Sequence, residues 1–340
     1  MRDLFKPIVP VNALHPAFEA LHTSEPHAGA RHLMNRIALQ MGDVDGNFVR
    51  EFQTQFHARL FELACFAYLE TQGLTVERSH SRPDFLVSRD SVPVAAIEAV
   101  TANSPAGQRT DISIMELANQ PFEEIINKCN EEFSIRIGSA LSSKLKKKYW
   151  DLPHCVGLPF VLVVGPFHEP GSTTYIDQSL ARYLYGVEAS SEGTDTTSHQ
   201  VPVLQHEFGG KVIPSKFFCY PSAENVSAII YCNQFTVPRF FRIAAQVDGW
   251  PFELAGQREG YFFDPHNGPK EYLYDLSDPG KPNEPWWQGV TVFHNPNAIH
   301  PLPQRALRST CEFHCRDVYV DCQVYGFHPL TSFMSLSVIH

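Results

Sequence analysis

Long apolar runs are missing from this 340-residue chain. The best continuous stretch, Gly157 to Val164, is far short of the roughly 20 residues that span a bilayer, and it reads as a buried strand. The first ten residues carry Arg2 and Lys6 but no sustained apolar segment and no small-residue cleavage site, so no secretory signal is expected. Cysteine is sparse: eight residues are scattered along a long chain, which excludes a dense disulfide framework and points to reduced thiols in a cytoplasmic setting. Positive charge is in deficit, with 27 Lys and Arg against 37 Asp and Glu, a net −10. That excludes a protein that coats nucleic acid through an overall basic surface. Lys144, Lys146, Lys147 and Lys148 make the one dense basic run, which alone reads as a solvated helix face. Also absent are a GxSxG elbow, a P-loop and a GxGxxG turn between strand and helix, and His206-Glu207 lacks the second histidine of a metalloprotease helix.

What is present suffices for a large core. A hydrophobic fraction of 43% over this length supports one elaborated domain or two ordinary ones. A helical pattern covers about His27 to Gln40. From Phe48 to Thr71, Phe52, Phe56, Leu60, Leu63, Phe66, Ala67 and Leu69 recur at helical spacing, and Gly73 ends the run. Leu74 to Arg78, Asp84 to Arg89 and Val92 to Thr101 read as three strands, the last two joined by a tight turn at Asp90-Ser91. Asn103 to Asn130 is acidic and aperiodic, a loop carrying a helix. Phe133 to Tyr149 is amphipathic, with Ile137, Leu141 and Leu145 inward, and Leu158 to Val164 is a strand covered on both faces. The order is helix, three strands, helix, strand. Beyond it, Ile176 to Tyr185 reads as a short helix and Ala189 to Gln200 as a polar surface loop. Val226 to Tyr231 and Val237 to Ile243 read as strands, with Pro-rich connections such as Asp278 to Pro285.

Three carboxylates stand out against this frame. Asp84 opens the second strand, and Glu98 interrupts an apolar third strand one hairpin later. If those strands pair, both side chains reach the same end of one sheet face. Glu62 lies in an apolar helical stripe, where a carboxylate is costly unless it is paired or bound to metal; Arg59, on its own helix, is one available partner. Oxygens on rigid elements suit Mg²⁺, a hard ion that keeps several waters.

Glu62 on a leading helix, Pro83-Asp84 on a strand and Glu98-Ala99-Val100 on the next resemble the motif of the PD-(D/E)XK, or restriction-endonuclease-like, nuclease superfamily. The resemblance covers Phe48 to Val164. It implies an α/β fold with an αβββαβ core, a mixed sheet between helices, and Mg²⁺- or Mn²⁺-dependent hydrolysis of DNA or RNA phosphodiesters. Asp84 and Glu98 would be metal ligands and Glu62 an accessory ligand or base. The implied partner is nucleic acid, DNA before RNA, with no membrane and room for a homodimer. One position departs from the pattern: Val100 stands where the superfamily has its lysine. Either the cation has migrated to the following helix, where Lys144 and Lys148 lie four apart, or the site is catalytically inactive and the fold only binds nucleic acid or a protein. The expected organisation is a helical extension over 1–47, the nuclease-like core over 48–166 and a β-rich elaboration over 167–340, which could belong to the same domain.

Weaker signals remain. Cys311, His314, Cys315 and Cys322 suggest zinc but lack a paired CxxC knuckle, and Cys311 to Val320 reads as an ordinary strand. Phe293 to Ala298, beside Trp286 and Trp287, reads as a structured turn; Phe240, Phe241 and Arg242, like those tryptophans, fit either base stacking or core packing.

Overall fold

Apolar side chains at three- and four-residue spacing make the N-terminal part helical in the computed structural model, which describes residues 3–103, 121–168, 171–190, 199–251, 253–265, 267–316 and 319–339. Here α1 (Pro16–Thr23), α2 (Ala28–Met41), α3 (Phe48–Thr54) and α4 (Phe56–Glu70) follow one another. The single helix expected over Phe48 to Thr71 is thus two. The carbonyl of Gln53 accepts from the His15 N–H at 2.8 Å instead of serving an amide one turn on, and the chain breaks at Gln55.

Three strands come next, β1 (Thr75–Glu77), β2 (Phe85–Arg89) and β3 (Val92–Asn103). Asp90 and Ser91 both take positive φ (50° and 65°), the turn whose twist suits a tight hairpin. Residues 104–120, most of the acidic stretch expected to be a loop with a helix, lie outside the described residues. α5 (Phe122–Asn127) and α6 (Phe133–Leu145) are joined by a π-helical turn, Lys128–Glu132, and β4 (Phe160–Phe167) is buried throughout. α6 stops four residues earlier than its sequence pattern suggested. The amides of Lys147 and Lys148 turn to carbonyls only three residues back, and Lys148 takes a left-handed φ of 49°.

The second half supplies α7 (Asp177–Tyr185), two small hairpins of β5 (Val187–Ser190) with β6 (His199–Pro202) and of β7 (Gln205–Phe208) with β8 (Lys211–Pro214), then β9 (Ala228–Tyr231) and α8 (Val237–Asp248). β10 (Leu254–Asp264), β11 (Gly268–Asp275), β12 (Thr291–His294), β13 (Cys311–Arg316), β14 (Tyr319–Val324) and β15 (Phe333–Val338) complete the chain. Three expectations are corrected here. The run from Val237 to Ile243 is helical: Thr236 is the extended cap, Pro238 sits in the first turn, and Phe240, Phe241, Ile243 and Ala244 are buried at helical spacing. Cys311 to Val320 is not one strand but parts of the antiparallel β13–β14 pair. The ends of the Ala189–Gln200 segment pair as β5 and β6, while 191–198 lie outside the described residues.

The main sheet has eight strands in the order β1-β2-β3-β4-β9-β12-β13-β14. Its pairs are antiparallel except for β3–β4, β4–β9 and β12–β13. It is a mixed sheet flanked by helices, and strands from both halves of the chain build it. Period-two alternation sends Ile97, Val161, Val163, Ile230 and Val292 into a core shared with α2, α4 and α8. Ala96, Val100, Leu162, Val164, Ile229 and Phe293 pack with α6 and α7 on the other face. α4 lies close on the sheet because β4 has a glycine under it: a Cβ on Gly165 would stand 2.4 Å from the Phe61 ring. A separate three-stranded sheet orders as β11-β10-β15. Among the described residues no helix is long and apolar enough to cross a membrane.

Candidate functional site

The β2–β3 register, Phe85 opposite Ile97, carries Asp84 alongside Glu98. Each carboxylate is then fixed by the other strand's backbone. The Asp84 N–H donates to Glu98 Oε2 at 3.1 Å, and the Ala99 N–H donates to Asp84 Oδ2 at 2.8 Å. Glu98 is 4% exposed, in the middle of a strand flanked by β4. Its other oxygen, Oε1, accepts from Lys144 Nζ at 2.5 Å, near the end of α6. Lys144 lies one turn beyond Leu141, whose side chain is in the core under that helix together with Val100. A lysine at position 100 would have to leave that core; Lys144 reaches the same carboxylate from above.

The expected site residues therefore divide. Asp84, Glu98 and Lys144 come together. Lys148 does not join them, because it is exposed, past the helix end and off Lys144's helical face. Glu62 is buried and ion-paired twice, with Arg59 on its own helix and with Arg78 Nη2 at 2.5 Å. Arg78 follows β1 and its guanidinium also faces the Phe85 ring at 5.6 Å. Sequence reasoning did not single out Arg78. The available signal was that a carboxylate inside an apolar helix requires a cation, and Arg78 is the basic residue that follows the next strand.

Charge in this cluster is unbalanced. Burial and then the negative charge of Glu98 push the Asp84 carboxyl from an ordinary 3.8 up to about 7, against the pull of the Ala99 N–H, Lys144 and Arg59. Burial and then Asp84 raise Glu62, while Arg59 and Arg78 hold it down. Burial alone would lower the Lys144 ammonium, but Glu98 and Asp84 keep it above the usual lysine range. Two carboxylates share one lysine, so the arrangement fits a hard divalent cation: Asp84 and Glu98 offer oxygens on rigid strands, and the ion would supply the missing positive charge. The Arg82 carbonyl is hydrogen-bonded to His154 Nε2 at 2.7 Å, and His154 stacks on His80 with centroids 3.7 Å apart.

The raised Asp84 value gives a pH prediction. Below about pH 4 the carboxyl is protonated in both folded and unfolded chains. Between about pH 4 and 7 the unfolded chain loses that proton and the folded one keeps it, so stability falls as pH rises; above 7 the whole cost is present. The linkage limit is about 4 kcal/mol, reduced to about 1–2 kcal/mol because water reaches this half-buried group. Asp84→Asn, which keeps an acceptor for Ala99, is expected to raise the metal-free Tm by about 1–3 °C at pH 8 and to leave it nearly unchanged at pH 4. Equal shifts at both pH values in a thermal melt would contradict this charge balance.

The weaker sequence signals resolve into packing or other clusters. Asn295 is buried and donates to the carbonyls of Ala223 and Val226 at 2.9 and 2.7 Å, and Trp286 is buried against Phe240. Strand alternation puts Cys311 and Cys315 on one face of β13 and His314 on the other, so the four residues first considered for zinc do not converge. Two other groups of three possible ligand atoms occur among the described residues: Asp177, Cys311 and His328, and His294, Glu312 and His314. Comparison with family models, with curated proteins and with solved structures gives no match.

Proposed function

We propose that this protein is a metal-dependent nuclease with a restriction-endonuclease-like core, acting through Asp84, Glu98 and Lys144. The observation that carries the reading is the approach of Lys144 to Glu98, which puts a cation beside the carboxylate pair from the helix although Val100 occupies the expected strand position. The order α4, β1, β2, β3, α6, β4, with β3 and β4 parallel, supports the same reading of the fold.

Asp84 and Glu98 would hold Mg²⁺ or Mn²⁺, which in such sites activates water and offsets charge on a phosphodiester. The chain's own groups do the rest. The Ala99 N–H fixes the direction of the Asp84 carboxyl, and the Asp84 N–H fixes that of Glu98. Lys144 keeps its proton near these carboxylates and adds positive charge where the transition state becomes more negative. Arg59 and Arg78 hold Glu62 in place, which makes Glu62 an anchor for the helix–strand corner and brings Arg59 close to Asp84. The exposed Arg82, Lys146 and Lys147 would supply phosphate contacts that the net charge of −10 otherwise disfavours. DNA is the favoured substrate, with RNA the alternative to be tested beside it.

The test is cleavage of plasmid DNA and of single-stranded RNA with Mg²⁺ or Mn²⁺ against EDTA, using wild type and Asp84→Asn. Metal-dependent cutting that falls by more than about 100-fold in the folded variant is the expected result. Binding of nucleic acid without cutting by folded wild-type protein would instead identify an inactive, binding version of the fold.

A further inference from the structure

The second histidine–carboxylate group lies away from Asp84, on the other face of the main sheet, and the proposed nuclease reaction makes no use of it. β12 and β13 run parallel with Val292 beside Glu312 and Phe293 beside Phe313, so His294 falls next to His314. Alternation then sends His294, Glu312 and His314 to one face. The two imidazoles stack, with ring centroids 4.3 Å apart and planes 11° apart. Both direct Nε2 at the same oxygen, Glu312 Oε2: His294 at 3.2 Å and His314 at 3.4 Å. The His294 contact is a hydrogen bond, whereas His314 Nε2 is buried and completes none. Two ring nitrogens converge on one oxygen, and one of them remains unsatisfied.

We propose that His294, Glu312 and His314 form a binding site for a divalent transition-metal ion of the Zn²⁺ class. Tetrahedral ligation with bonds of about 2.0–2.1 Å separates neighbouring ligand atoms by about 3.3 Å, which is the spacing found between Glu312 Oε2 and each imidazole nitrogen. The carboxylate is already oriented: Ser309 Oγ donates to Glu312 Oε1 at 3.1 Å and Arg305 Nη1 lies 3.6 Å from the same oxygen, the kind of outer partner that holds a ligating carboxylate in place. Glu312 is essentially buried while the imidazoles are 12% and 16% exposed, so an ion can enter from the histidine side and keep a position for water or a small ligand. Two imidazoles with one carboxylate select Zn²⁺, Co²⁺ or Ni²⁺ over Mg²⁺, opposite to the preference of the Asp84–Glu98 pair. The buried Asp177–Cys311–His328 group is the internal comparison. There Asp177 Oδ2 already accepts from Thr291 and meets His328, and His328 Nδ1 is hydrogen-bonded to Thr310.

The experiment uses full-length protein stripped with chelator and then held in millimolar-range excess Mg²⁺, so that hard-ion sites are filled. Zn²⁺ is titrated by calorimetry, Co²⁺ by its visible absorption, and the Tm is followed with and without Zn²⁺. One equivalent of Zn²⁺, with a rise in Tm, is expected for wild type, Cys311→Ser and Asp84→Asn. His314→Ala and, separately, His294→Ala should each weaken binding by at least about 100-fold, more than the loss of an outer partner typically costs. Folded wild-type protein that takes up neither Zn²⁺ nor Co²⁺ overturns the proposal, as does a His314→Ala protein that binds one equivalent with unchanged affinity. Loss of binding only in Cys311→Ser would assign the ion to the buried group instead.

Discussion

Lys144→Met is expected to reduce metal-dependent cleavage by about 100- to 1,000-fold, while Lys148→Ala changes it by less than about twofold. The size follows from what one preorganised charge contributes where negative charge develops in a water-poor site. Lys144 Nζ is 2.5 Å from Glu98 Oε1, its charge reaches Asp84 as well, and Val100 supplies no cation on the strand. Methionine keeps an unbranched side chain of similar length and removes the ammonium. Lys148, although also basic and only four residues on, is past the end of the helix. The substitution leaves Glu98 buried with the Asp84 N–H as its remaining hydrogen bond, so a loss of about 1–3 kcal/mol in stability is expected, and rates are to be compared at a temperature where both proteins are folded. Single-turnover cleavage rates, with the Tm measured in parallel, decide the matter. A Lys144→Met protein cutting at the wild-type rate removes this residue from the chemistry. A fall shared equally by Lys148→Ala would mean that both lysines act through general phosphate attraction, not through the carboxylates.

The parts of this site that were legible in the sequence are those fixed by local patterns. Asp90-Ser91 announces the hairpin, the apolar strand around Glu98 makes that carboxylate conspicuous, and the gap between β2 and β3 sets Asp84 opposite it. The cation was legible to within one helix but not to one residue. Lys144 and Lys148 have equal claims as long as the helix is taken to run to Tyr149, and the left-handed turn at Lys148 is what separates them. Arg78 was hidden because its tie to Glu62 crosses sixteen residues and two elements. Long-range pairing explains the other misses. The break between α3 and α4 depends on the His15 amide, far away in sequence. Short apolar runs such as Val237 to Ile243 fit either period, and burial of Arg239 and Arg242 beside Glu284 is what makes the helix pay off against a strand. Likewise, nothing local in β9, β12, β13 or β14 says that they extend the sheet begun by β1 to β4; β4 and β9 pair through residues more than sixty positions apart.

Glu284→Gln is expected to cost about 3–5 kcal/mol of stability, lowering the Tm by about 4–7 °C at pH 7. Three guanidiniums surround this one carboxylate. Arg242 binds it twice, at 2.6 and 2.8 Å, and Arg239 and Arg258 each approach to 3.3 Å. All four side chains are at most 4% exposed. Arg239 also donates to the carbonyls of Trp286 and Gln288, and Arg258 to Tyr274, Gln288, Gln234 and Ser332. The cluster thus ties α8 to β10 of the three-stranded sheet and to the segment leading into β12. Glutamine fills the same space but leaves three buried cations with no counter-charge, which is why the cost exceeds that of a lost surface pair. Burial by itself would raise the Glu284 carboxyl, but Arg242, Arg258 and Arg239 hold it far below the usual carboxylate range. A depressed folded value means that the stabilisation is fully present above the unfolded pKa, near 4.5, and is lost as pH falls toward the folded one. The difference in Tm between wild type and Glu284→Gln should therefore be constant from pH 8 to about 5 and shrink steadily below about 4.5. A variant within about 1 kcal/mol of wild type at pH 7 would mean that water enters the cluster and screens the three arginines, and that the two sheets are held together mainly by the apolar contacts of Phe240, Phe241 and Trp250.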